Sequence, residues 1–250
     1  MAHHIALAFL VSFLFCAQNI ASANFDFYYL VLEWPGSYCK DRSVNGCCKP
    51  TTFSNYPLKE DFLIKGLYTY KASGQPVTKC NNTKFYVNAL RNSIVDLYVQ
   101  WPSIKCPSNN GVSQWSDAWT NYGVCSGLNE TAYFEKALQL RKKINLLSVL
   151  ECEDIYPSDD FCYSPYYVRK AIRYGLGADV GIKCSKDKSG AFQIAEIYVC
   201  VDKTASKVID CPVLPNSNCG RDVFFPDFYN SMLKGISASS FDPLEMVTSQ

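Results

Sequence analysis

Histidine is almost missing from this chain. There are two in 250 residues, His3 and His4, and both lie within the first 23. From residue 24 onward no side chain has an unperturbed pKa suited to proton transfer near neutrality, which excludes every histidine-dependent mechanism there. A long hydrophobic run is also missing: residues 5–17 form an apolar stretch too short to span a bilayer, and none later approaches that length. Charge of one sign is not in excess, with 24 Lys and Arg against 23 Asp and Glu. Nothing in that balance favours a polyanionic partner such as RNA, so RNA binding is expected to be weak or absent. No Cys-x-x-Cys pair occurs, and with no histidine ligands no metal site is expected. There is no linker rich in Pro, Gly and Ser, no internal repeat and no low-complexity tract, which favours one domain.

What is present begins with a leader. A short polar start, the apolar run and the small residues Ala21-Ser22-Ala23 form a secretory signal peptide over residues 1–23. The expected location is the secretory pathway, extracellular or vacuolar, with no membrane association. Removing the leader takes Cys16 with it, so thirteen cysteines become twelve, an even number that reads as six disulfides in an oxidising compartment. The domain is expected over 24–229. Residues 230–250 read as a tail, either a removable sorting propeptide or a loose end.

The periodicity indicates an α+β class, with a strand first, helices in the middle and strands last. Residues 24–34 are aromatic and β-branched and read as a central strand, and residues 62–68 as a second. A helix is expected over 84–100, capped by Asn82 or Thr83 and stopped by Trp101-Pro102. A longer one is expected over 130–150, capped by Asn129 or Thr131, with Phe134, Leu138, Ile144 and Leu147 inward. Residues 153–160 read as an acidic loop, and Ser164-Pro165 opens a helix to about residue 174. Residues 180–185, 191–201 and 207–210 alternate like strands of an antiparallel sheet.

One stretch stands apart. Trp115-Ser-Asp-Ala-Trp119 places two tryptophans four residues apart, on one face of a helix that begins at Ser113. Gly123 is expected to end that helix and Cys125 to staple it. Its polar residues, Asp117, Asn121 and the adjoining Tyr122, would face a pocket. Together with Ile64-Lys65-Gly66-Leu67-Tyr68 and Val31-Leu32-Glu33-Trp34-Pro35-Gly36-Ser37-Tyr38-Cys39, this stretch resembles the ribonuclease T2 family, in its plant S-type and S-like branch. Further matches are Cys47-Cys48-x-Pro50-Thr51-Thr52, Trp101-Pro102, Tyr133-Phe134 with Ala137-Leu138, Ile197-Tyr198-x-Cys200-Val201-Asp202, and Cys211-Pro212. They run in order from about residue 25 to residue 228.

The resemblance implies a ribonuclease T2-like fold with no cofactor. Its activity would be endoribonucleolytic cleavage by transphosphorylation to a 2′,3′-cyclic phosphate. The family's first catalytic segment reads Ile-His-Gly-Leu-Trp and its second His-Glu-Trp-x-Lys-His-Gly-x-Cys. One histidine serves as base and another as acid, while the remaining charged groups hold the phosphorane. This chain has Lys65 and Tyr68 in the first segment, and Asp117, Ala118, Asn121 and Tyr122 in the second. Trp119, Gly123 and Cys125 match. Glu33 stands where the family carries glutamine beside the base-binding strand. The resemblance thus implies a member with no catalytic residues, akin to the family's inactive storage proteins of vegetative tissue. An RNA- or ligand-binding pseudoenzyme and a weak endoribonuclease are the alternatives. A Lys65–Asp117 ion pair is expected in the old pocket.

The resemblance also implies the bridges Cys39–Cys47, Cys48–Cys106, Cys80–Cys125, Cys184–Cys219 and Cys200–Cys211, leaving Cys152 and Cys162 to pair with each other. Asn81 and Asn129 begin N-glycosylation sequons, although plain helix capping would also place them there.

Overall fold

The structure, a computed structural model, describes residues 24–235. The leader and residues 236–250 lie outside the described residues. Phe27–Glu33 forms β1, an interior strand because both of its faces find cover. Tyr28, Leu30 and Leu32 pack into the main core, while Phe27, Tyr29 and Val31 join Tyr198 and Cys200 in a smaller cluster on the other side. The chain continues through α1 (Pro35–Lys40), β2 (Leu63–Tyr70), α2 (Ile94–Gln100), α3 (Val112–Asn121), α4 (Glu130–Lys143) and α5 (Leu146–Glu151). It closes with β3 (Ser158–Tyr163), α6 (Pro165–Leu176), β4 (Val180–Lys186), β5 (Phe192–Asp202) and β6 (Val223–Phe225). The strands form one sheet in the order β2-β1-β5-β6-β3, with β4 also paired to β5. All pairings are antiparallel except the short one between β5 and β6.

The α+β class and the strands from 27, 63, 180 and 192 match the expectation from sequence. Several elements differ, each for a tertiary reason. No helix starts at 84: a 3-10 turn spans Val87–Leu90 and α2 begins only at Ile94. The Glu130 carboxylate accepts from the Tyr86 N–H at 3.1 and 3.2 Å, holding that segment extended. The expected helix over 130–150 is two helices. Buried Arg141 donates to the Ile144 carbonyl at 2.9 Å, and the Asn145 side chain then accepts from the Ser148 N–H to cap α5. Asn129 caps α4 in the same way, through Ala132 N–H. The acidic loop contains β3, and the three-residue β6 is too short to leave a pattern. Residues 207–210 make only an isolated bridge, Val201 to Val208, because Asp202 gathers the turn by accepting from the Ser206 and Lys207 N–H groups.

Five disulfides are formed, with the pairing implied by the resemblance. The sixth pair is not: Cys152 and Cys162 are exposed free thiols. Cys152 follows the last turn of α5, whereas the ladder to β6 holds Cys162 opposite Phe224. The domain also runs past residue 229. Leu233 is buried, and Lys234 N–H donates to the Cys47 carbonyl while its own carbonyl accepts from Lys49. The part of the expected tail up to residue 234 is therefore packed on the Cys47-Cys48 loop.

Candidate functional site

Two glycines show how closely the site is built. At Gly123 a Cβ would lie 2.2 Å from the Trp119 ring, and at Gly66 one would lie 2.0 Å from the Tyr68 ring. Both are needed for close approach. Gly123 does not end α3, as the sequence suggests; Asn121 is the last helical residue and Gly123 opens a 3-10 turn, Gly123–Cys125. The Cys80–Cys125 bridge and the bond from Lys79 N–H to the Asn121 carbonyl then fix this end of the helix. On its inner face Trp115 donates to the Trp101 carbonyl at 2.8 Å, and Trp119 packs edge-on against Tyr133.

The outer face of α3 presents Gln114, Asp117, Ala118 and Asn121 at helical spacing to a cavity of about 200 Å³. Tyr122, Lys65, Tyr68, Glu33, Tyr38 and Lys105 complete it. All seven positions singled out from sequence thus line one cavity. The Tyr68 and Tyr122 rings pack together at a tilt of 32°, with centroids 4.4 Å apart.

Lys65 does not pair with Asp117. It is the extra residue in a β-bulge, since Val31 faces Gly66 and Leu32 faces Ile64. The bulge aims the ammonium along the sheet rather than toward α3. There it reaches Glu196 Oε1 at 2.5 Å and Glu33 Oε1 at 3.2 Å. These two glutamates are directly opposed on β1 and β5, an arrangement of like charges that needs a cation between them. Tyr198 donates to the other oxygen of Glu196 at 2.6 Å. Burial works against the Lys65 ammonium, but Glu33 and Glu196 more than reverse it and hold its pKa above the ordinary lysine value. Burial raises the Glu33 carboxyl above the usual range despite Lys65. Burial likewise pushes the Tyr68 and Tyr122 phenols up. Asp117 is exposed and forms no ion pair among the described residues, while Asn121 donates to its backbone carbonyl at 2.8 Å.

Glu196 is absent from the residues picked out by sequence, and Tyr198 enters there only as part of a matching motif and not as a site residue. A signal existed: Glu196 is the one charged residue between Phe192 and Val201, and β alternation puts it on the face of Tyr198. Knowing that it meets Lys65 required the sheet. Among the described residues no group of His, Cys, Asp and Glu could hold a metal ion.

A profile of the Ribonuclease T2 family matches residues 25–211. The chain belongs to the ribonuclease T2 family. It is 37% identical over 212 residues to extracellular ribonuclease LE of Solanum lycopersicum, covering 83% of this chain and 90% of that one. It is 33% identical over 187 residues to a ribonuclease-like storage protein of Panax ginseng, covering 74% of each. The crystal structure of RNase NT in complex with 5′-AMP superposes with a TM-score of 0.77 at 40% identity, covering 82% of this chain and all of that one. This T2 member therefore has both ribonucleases and a storage protein among its relatives. No helix among its described residues is long and apolar enough to cross a membrane.

Proposed function

We propose that this ribonuclease T2 family member does not cleave RNA and serves as a storage protein of the secretory pathway, extracellular or vacuolar. The observation that carries the reading is the state of Lys65. Its ammonium is bound by two carboxylates and is held protonated, so it neither takes a proton from a ribose hydroxyl nor offers a free charge to a phosphate. No imidazole occurs beyond residue 4, and the nearby phenols are pushed away from neutrality rather than toward it. Asp117 remains as a carboxylate, which repels the phosphate it would have to serve. Losing one acid–base group commonly costs about 10²- to 10⁴-fold in rate, and here every such position carries another residue.

Storage is supported by the ginseng relative, and by five bridges that each stabilise a fold by roughly 2–4 kcal/mol. The secretory location rests on the leader and on the extracellular relative. A second reading, a ligand-binding pseudoenzyme, is favoured by the cavity itself, which stays open beside the ion triad.

Incubating the purified protein with single-stranded RNA and assaying for 2′,3′-cyclic phosphate ends tests the catalytic half. No product above the buffer control is expected. Turnover that disappears in Tyr122→Phe or Asp117→Asn would overturn it. Quantifying the protein across tissues and through nitrogen starvation tests the storage half. High abundance that falls on starvation is expected, and a low, constant level counts against storage.

A further inference from the structure

Five of the seven exposed aromatic side chains among the described residues fall between residues 156 and 174, and none of the five lines the cavity under α3. Tyr156, Phe161, Tyr166, Tyr167 and Tyr174 are 48%, 67%, 67%, 63% and 82% exposed. They lie on β3, on α6 and in the turn before them. So many large rings left in water within one short stretch go beyond the scattered surface hydrophobes of a folded domain.

The backbone adds a second observation. β3 is the last strand of its sheet and pairs, among the described residues, only with β6; that ladder is interrupted between Ser158 and Cys162, and the residues there, 159–162, stand exposed. The bulge keeps this edge from continuing the sheet but holds its side chains out in solvent.

Charge supplies the third. Residues 151–160 carry Glu151, Glu153, Asp154, Asp159 and Asp160 and no cation, whereas α6 carries Arg169, Lys170 and Arg173 and no acid. Lys40 engages Asp159, and Asp179 engages Arg169. Arg173 reaches Asp179 only at 3.9 Å. No ion pair among the described residues uses Asp154, Glu153 or Lys170. A groove of about 550 Å³ is lined by members of both charge sets, Glu153 and Asp154 with Lys170, and by Tyr167 and Tyr174.

We propose that this edge is a self-complementary docking surface for a second copy of the chain. A two-fold axis beside β3 would carry each acidic turn toward the other copy's Lys170 and Arg173. The aromatic rings would form the apolar centre, and the charges the rim. A polyanion or a polycation would meet like charge over half of this surface. A second copy turned by the two-fold axis meets opposite charge on both halves.

Sedimentation velocity on the full-length secreted protein, from about 1 to about 100 µM, tests the proposal. A concentration-dependent dimer is expected. Lys170→Glu should raise its dissociation constant about tenfold or more by setting acid against acid. Adding Asp154→Lys to that variant should restore dimerisation, and Tyr174→Ser should weaken it with unchanged thermal melting. Monomers throughout the range would overturn the proposal, as would a dimer indifferent to all three variants. So would a monomer whose surface tyrosine fluorescence responds to an oligosaccharide or RNA, which would assign the groove to that ligand.

Discussion

The two faces of α3 differ in what holds them. The inner face is a packing device, in which Trp115 and Trp119 are buried, one indole donates to a backbone carbonyl, and Gly123 is bare because a ring lies over it. The outer face is loosely engaged, with Asp117 exposed and Asn121 bonded to its own helix. Here the strong polar contacts of the cavity sit across from α3, on the sheet, where Lys65 joins Glu33 and Glu196.

Substitutions can break this contrast. Trp119→Ala should cost the most, about 3–5 kcal/mol, as a large buried ring is deleted; chemical denaturation measures it. Gly123→Ala should follow at about 1–3 kcal/mol, since the added methyl displaces the same ring. Lys65→Met should cost about 1–2 kcal/mol, a figure reduced because the Lys65 side chain is 37% exposed. In double-mutant cycles it should couple to Glu196→Gln and be additive with Asp117→Ala. Asp117→Ala and Asn121→Ala should each change stability by less than about 0.5 kcal/mol. If either matches Trp119→Ala, the two faces are not as different as their contacts indicate.

pH sharpens the same point. The folded pKa of Lys65 is raised, so its contribution is fully present below the ordinary lysine value of about 10.4 and is lost as pH rises through the folded value. On the acid side the triad loses a carboxylate as Glu33 takes up its proton, above the usual carboxylate range because its pKa is raised too. The stability difference between the wild type and Lys65→Met should therefore be largest between these limits, shrink as Glu33 takes up its proton on the acid side, and be lost at strongly alkaline pH.

Much of the frame could be read from the chain. The alternation of β4 and β5, the paired tryptophans of α3 and the Pro165 start of α6 are local patterns that burial then uses. The positions around the cavity came from motif resemblance, and the fold brings all of them to one place. The partner of Lys65 could not be read. A single bulged residue reverses where a side chain points, and the spacing of hydrophobic residues carries no sign of it. The start of α2 and the break after α4 escaped for a similar reason: Glu130 and Arg141 act on backbone groups that belong to other segments.

The sequence by itself determined what chemistry is unavailable, because composition alone removes histidine from residue 5 onward. It also determined which residues pack, through period and propensity. Tertiary structure alone decided which charge meets which. Glu33, Lys65 and Glu196 stand on three strands brought together by sheet register, with the last of them 131 residues from the lysine that neutralises it.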